Sequence, residues 1–287
     1  MADYKIITDS SADLTNEMIL KYDLSVASLD VMFDGEKSLP NDKVDIKEFY
    51  AKLRNKKNAS TAAVNTEKFI DCMIPFLEDG CDILCLAFSS GLSSTYNAAR
   101  IAGEELSEKY PNRKIFVVDT LCASLGQGLL IYHAYLQKSA GKSIEDVYKY
   151  IESIKLNLCH WFTVDDLFFL KRGGRVSTTT AIAGTALGLK PVMHTDNEGH
   201  LTKVSVAKGR KGSIRALADK MAESAIDPHE QTIFISHGDC VEDAEYLASL
   251  IQEQIGVKEI VISYVGPVIG AHSGPGTLAL FFLGKER

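Results

Sequence analysis

Over the first half of the chain, short apolar runs alternate with helical patterns, and this alternation restricts the fold more than any other feature. Tyr4 to Thr8, Asp82 to Ser89 and Lys114 to Asp119 read as strands, each followed by helix-forming sequence. Strands recurring with helices between them predict a parallel sheet with helices on both faces. Val26 to Phe33 and Glu36 to Leu39 flank Asp34-Gly35, a hairpin signal, so a small antiparallel excursion is expected near residues 26–40. Phe49 to Leu53 and Glu67 to Phe76 carry helical spacing, and the Lys/Asn-rich segment 54–59 between them reads as an exposed loop.

The pattern changes after a helical stretch from Ser143 to Lys155. Trp161 to Val164 reads as a strand, Gly173-Gly174 as a break and Asp196 to Gly199 as a hairpin. Further strands are expected at Thr232 to Ser236, Glu259 to Val265 and Thr277 to Leu283, with a helix from Glu242 to Ile255. Strands reached both by hairpins and by helices imply a mixed sheet. A chain of 287 residues is long enough to split its core. The expectation is therefore an α/β protein of two domains. Residues 1–158 would form an α/β/α unit on a parallel sheet, residues 159–287 an α/β unit on a mixed sheet, and a ligand would lie at their interface.

Composition removes several function classes. The net charge is −7, the pI is about 5.6, and no Lys/Arg stripe stands out, which argues against binding nucleic acid through its phosphates. The start of the sequence lacks the basic and apolar regions of a secretory signal, and no run reaches the roughly 18 apolar residues of a spanning helix. A cytoplasmic protein without stable membrane insertion is expected. Cys72, Cys81, Cys85, Cys122, Cys159 and Cys240 form no C-x-x-C pair and read as free thiols in a reducing compartment. No metal-ligand spacing is present, and His237-Gly238-Asp239 reads as a strand-to-helix turn.

Four segments could carry chemistry. Asp9-Ser10-Ser11-Ala12-Asp13 follows the first strand, at the edge where open α/β sheets place ligands, yet its side chains also suit capping and loop-locking. Ser89-Ser90-Gly91-Leu92-Ser93-Ser94-Thr95 ends the next parallel strand and opens a helix, so hydroxyls and free backbone N–H groups converge there. The cluster suits an anion site or, more simply, helix capping; for the former, without a P-loop lysine, the favoured anion is a carboxylate. Ser60-Thr61-Ala62-Ala63 reads as the end of the exposed loop and brings another hydroxyl. Gly266 to Thr277 holds His272 among four glycines and two prolines, in a rigid loop that either positions a proton or hydrogen-bond donor or simply satisfies the histidine with backbone carbonyls. Lys171, Arg172 and Arg175 surround Gly173-Gly174 and could meet an anion or simply form a solvated turn.

Taken in order, Asp9 to Leu14, the Thr61 loop, Ser89 to Asn97, Val117 to Thr120, Leu170 to Val176, Leu189 to Val192 and Gly266 to Thr277 resemble the DegV family. The resemblance runs from about residue 4 to residue 283. It implies a non-catalytic two-domain α/β carrier that holds one long-chain fatty acid, such as palmitate, in a buried tunnel. It further implies that the carboxylate is presented to a separate fatty acid kinase, for lipid transport or phospholipid metabolism, with no cofactor beyond the bound lipid. By the same resemblance Thr61 and Ser93 hydrogen-bond the carboxylate, and His272 closes the mouth from the second domain. The chain departs from the family's usual pattern in having Ala62 and Ala63 after Thr61, and Ser94 where glycine is common; Ser94 could add a donor. Arg175 and Arg210 are the candidate contacts to the kinase.

Burying about 14 methylenes at roughly 0.8 kcal/mol each would contribute roughly 11 kcal/mol before ordering costs. The carboxylate needs convergent donors, because burying it unpaired costs several kcal/mol. Apolar residues from Thr179 to Leu189, read as a helix, would mostly fill the core. The competing reading is a hydrolase or transferase with Ser93 as nucleophile, His272 as base and Asp9 or Asp119 orienting it.

Overall fold

The computed structural model describes residues 3–177 and 188–287. From the start of the chain it runs through β1 (Tyr4–Asp9), α1 (Asn16–Lys21), β2 (Leu24–Ala27), β3 (Asp30–Phe33), β4 (Leu39–Pro40), α2 (Ile46–Arg54) and β5 (Ala59–Ala62). There follow α3 (Thr66–Glu78), β6 (Asp82–Ala87), α4 (Thr95–Lys109), β7 (Ile115–Asp119), α5 (Leu125–Ser139) and α6 (Ile144–Ile154). The second half supplies β8 (Leu158–Thr163), α7 (Leu167–Arg172), β9 (Leu189–Thr195), β10 (Leu201–Lys208) and α8 (Gly209–Ser224). It ends with β11 (Thr232–His237), α9 (Val241–Gln254), β12 (Glu259–Tyr264), α10 (Pro267–Ser273) and β13 (Leu278–Leu283).

Strands β2, β1, β6 and β7 form a parallel sheet in that order, and β10, β9, β8, β13, β11 and β12 form a mixed sheet in which only the β11–β12 pair is parallel. The α/β architecture with one parallel and one mixed sheet is the expected one. β6 is buried along its whole length, as a central parallel strand covered on both faces must be.

The dense apolar stretch Gly128 to Ala134 lies in α5, whose residues from Leu125 to Ile131 are all buried. A helix buried all round needs partners on every side. α5 packs against β6 and also against β8, β11 and β13, so it fills the space between the two sheets. One apolar cluster accordingly joins Leu84 and Leu86 of β6 to Phe162, Phe234 and Phe281 of the mixed sheet. Two further clusters fill the outer faces, under α3 and α4 on one side and under α8 and α9 on the other.

Three local expectations change. Val26 belongs to β2, paired in parallel with Thr8, so the antiparallel excursion starts only at Asp30. Ala59 to Ala62, read as loop, is a strand on the other edge of β3, with Thr61 opposite Val31. A four-residue run of small and polar residues has no periodicity of its own; its pairing with β3 makes it a strand. Gly266 to Thr277, read as a rigid loop, contains helix α10, with Gly266 as N-cap and Pro267 at its first position. Of the helix expected over Thr179 to Leu189, only Gly188 and Leu189 lie within the described residues, and Leu189 opens β9.

Candidate functional site

The carboxyl edge of the parallel sheet carries both polar loops singled out above. In the first, Asp9 is fully buried and accepts from the Ser11 N–H and hydroxyl, from the Phe88 N–H at 2.8 Å and from the Gln127 amide at 3.2 Å. Burial pushes its carboxyl up, partly opposed by these donors. This is a structural lock, joining the ends of β1 and β6 to α5.

The second loop divides its hydroxyls. Ser89 is buried and donates to the Gly199 carbonyl at 2.9 Å, so the β9–β10 hairpin sits down on the loop. Gly91 permits that approach, since a Cβ there would stand 2.7 Å from the Glu198 carbonyl oxygen. Ser93 and Ser94 instead line an apolar cavity of about 300 Å³. Ser93 Oγ accepts from the Thr95 N–H at 3.2 Å and lies 2.9 Å from the Thr95 hydroxyl, while Ser94 makes no side-chain cap to α4.

Thr61 and His272 line the same cavity and meet each other, with Thr61 Oγ1 2.8 Å from His272 Nε2. Residues 211 positions apart are thus joined by a strand edge and the last turn of a short helix. His272 Nδ1 is buried without a partner and faces Gly173, where a Cβ would stand 2.2 Å away. Burial, with help from the Arg175 and Arg172 cations, lowers the imidazole to about 4, so it is neutral at pH 7.

Arg175 also lines the cavity, with Nε 3.1 Å and Nη2 2.9 Å from the Leu92 carbonyl and Nη1 on the Gly173 carbonyl. It ties the Ser93 loop to the turn beside His272. Arg172 donates to Asn58 at 2.8 Å. Arg210 stands elsewhere, paired with Asp243 at 2.8 Å and close to Asp165 and Cys240.

The remaining lining is largely apolar, including Phe88, Leu92, Phe162, Leu170, Val268 and Phe281. Sequence reasoning missed Ser124 and Ser236, which line the cavity 3.1 Å apart. The rule that flagged the ends of β1 and β6 would have found Ser124, which follows the end of β7. Its φ of 54° is rare for a residue with a side chain, and its hydroxyl donates to Asp13. Asp13 is buried against the backbone of Gly266, and burial raises its carboxyl to about 7.

The arrangement a serine nucleophile requires is not assembled. His272 Nε2 faces Thr61, Asp9 is committed as described, and Asp119 accepts from the Ser90 and Leu121 N–H groups at 3.1 and 3.2 Å. Among the described residues no group of three or more His, Cys, Asp or Glu side chains could hold a metal, and no helix is long and apolar enough to cross a membrane. All six cysteines are free.

A family model described as "Uncharacterised protein, DegV family" matches residues 3–285. A DegV domain-containing protein of Clostridium perfringens is 47% identical over 289 residues, covering 100% of this chain and 99% of that protein. Two solved structures share the fold. A Thermus thermophilus DegV family protein described by its fatty acid binding is 28% identical, with a TM-score of 0.88 over 98% of this chain and 99% of that one. DegV of Bacillus subtilis, described as a fatty acid binding protein, is 27% identical, with a TM-score of 0.85 over 99% and 100%.

Proposed function

The chain belongs to the DegV family, and from that premise we propose that it binds one long-chain fatty acid, tail in the apolar cavity and carboxylate at Thr61, Ser93 and His272. The observation that carries this reading is the convergence of Thr61, Ser93 and His272 on one cavity that is otherwise mostly apolar. Both solved relatives described above are fatty acid binding proteins by description.

The proton inventory suits an anionic head. Thr61 has a single hydroxyl proton. If neutral His272 donates from Nε2 to Thr61 Oγ1, that proton is free for a carboxylate oxygen. Ser93 is equivalent: with Thr95 donating to it from both N–H and hydroxyl, its own proton points to the ligand. Each carboxylate contact is then backed by a second donor, which strengthens it in a low-dielectric site. Ser94 stands at the same mouth as an additional hydroxyl. Arg175 adds a positive field without a direct fork, because its guanidinium is bound to the Leu92 carbonyl.

In this reading the protein is a carrier, and the chemistry on the carboxylate belongs to a separate fatty acid kinase in the cytoplasm. Arg175, bridging the Ser93 loop to the turn beside His272, would let a docked kinase act on the mouth, and Arg210 would be an outer contact. Native mass spectrometry of freshly purified protein is expected to show one fatty-acid adduct, which Thr61→Ala weakens. An unliganded mass that persists after incubation with a panel of fatty acids would overturn the reading.

A further inference from the structure

His272 reaches Thr61 from the end of a helix only seven residues long, with Gly266 before it, Gly270 inside it and Gly274 after it. A helix this short does not persist on its own, and internal glycine weakens it further. Its direction must therefore come from what it rests on. Beside its packing on α7, β5, β3 and α2, two hydrogen bonds from side chains of the first half of the chain contribute to this, and neither of those side chains lines the cavity.

Asn41 acts as a cap supplied from outside the helix. Gly266, the N-cap, has no side chain to offer the free N–H groups of the first turn. Asn41 Oδ1 accepts from the Val268 N–H at 3.0 Å, and Asn41 Nδ2 donates to the Ser10 carbonyl at 3.2 Å. The backbone N–H of Asn41 is itself held by the Leu29 carbonyl at 2.9 Å. The start of α10 is thus tied to the loop after β1. Tyr50, fully buried on α2, donates to the Val265 carbonyl at 2.7 Å, just ahead of the helix. Along the body of α10, Gly270 lies directly on α2: a Cβ there would stand 2.7 Å from Tyr50 Oη and 2.9 Å from the Phe49 ring.

From this geometry we infer that Asn41 and Tyr50 are positioning residues for the fatty-acid site proposed above, acting by holding α10 so that the His272 imidazole meets Thr61. Val268 and His272 are four residues apart, about 6 Å along the helix at about 1.5 Å per residue. A tilt at the first turn is transmitted directly to the imidazole, whose hydrogen bond tolerates only a few tenths of an ångström. A purely structural cap would stabilise the fold but would not need His272 to affect binding.

The test compares Asn41→Ala, Asn41→Asp and Tyr50→Phe in the full chain, alone and with His272→Ala, using palmitate affinity from displacement of a fluorescent fatty acid. Asn41→Ala and Tyr50→Phe are each expected to weaken palmitate about three- to tenfold. Asn41→Asp keeps the acceptor for Val268 but sets an oxygen against the Ser10 carbonyl in place of the donor, so its affinity should fall between those of the native chain and Asn41→Ala. In the His272→Ala background, Asn41→Ala should cost much less, only what a shift of the lining residue Val268 costs, the signature of two coupled residues. In protein without added lipid, the ¹⁵N shifts of the His272 imidazole at pH 7 should move in Asn41→Ala and move less in Asn41→Asp. Equal losses with and without His272, or an unmoved imidazole, would overturn the positioning role. If the native chain binds no palmitate, the fatty-acid reading fails, while the imidazole shifts still decide whether Asn41 positions His272.

Discussion

Two polar loops stand at the same edge of the parallel sheet, one after β1 and one after β6, and they have opposite fates. Both are rich in groups that can cap a helix or hold an ion. In the first, Asp9 is covered completely and its oxygens are spent on Ser11, Phe88 and Gln127. In the second, the β9–β10 hairpin covers Ser89 but leaves Ser93 and Ser94 on the cavity. A polar strand end becomes a lock where the rest of the molecule closes over it and a site where a cavity is left beside it. Residue type is nearly the same; what lies above it differs.

That contrast predicts a separation of stability from binding. The largest effect is expected for Asp9→Ala, which strands several buried donors and should cost about 3 kcal/mol or more in urea denaturation. A loss below about 1 kcal/mol would remove Asp9 from the role of lock. Ser93→Ala should leave stability within about 1 kcal/mol, the value of a cap contact, while weakening a bound fatty acid about tenfold or more. If Ser93→Ala unfolds the protein and Asp9→Ala merely releases lipid, the two loops have been assigned the wrong way round.

Asp13 sharpens the comparison at the boundary between lock and site, since its partner Ser124 lines the cavity. Its carboxyl stands near 7 in the fold, against an ordinary value of 3.8, mainly because it is buried. A raised acid favours the protonated fold, so its contribution is complete below about pH 4 and fades as pH rises through 7. Between pH 6 and pH 8 the native chain should lose about 1 kcal/mol from this group, and Asp13→Asn should flatten that slope. Parallel pH profiles for the two proteins would show that Asp13 ionises normally.

Much of this organisation was legible in the residues. The strand–helix alternation announced the parallel sheet, the hairpin at Asp196 to Gly199 and the later strands announced the mixed one, and the hydroxyl-rich end of β6 marked Ser93 before any family entered. Ser143 opens α6 as its N-cap, accepting from the Asp146 N–H, so the helix expected from Ser143 to Lys155 starts where local chemistry puts it. Thr61 and His272 stand out in the sequence as residues, but their local structure does not. Each lies in a segment too short to carry a period, β5 at four residues and α10 at seven. The pairing of β5 with β3, and the support of α10 by Asn41, Phe49 and Tyr50, link residues far apart along the chain, and no window of neighbouring sequence contains them.

By itself, then, the sequence determined the classes of element and the identity of the polar groups at the sheet edge, because periodicity, caps and turn residues act over a few positions. Only the tertiary structure decided which of those groups would face a cavity. α5 is buried between the two sheets, the β9–β10 hairpin lies on Gly91, and α10 rests on α2; together these bring Thr61 within 2.8 Å of His272. The physical reason is that burial depends on what packs over a residue, and here most of what packs over the site comes from more than 100 residues away.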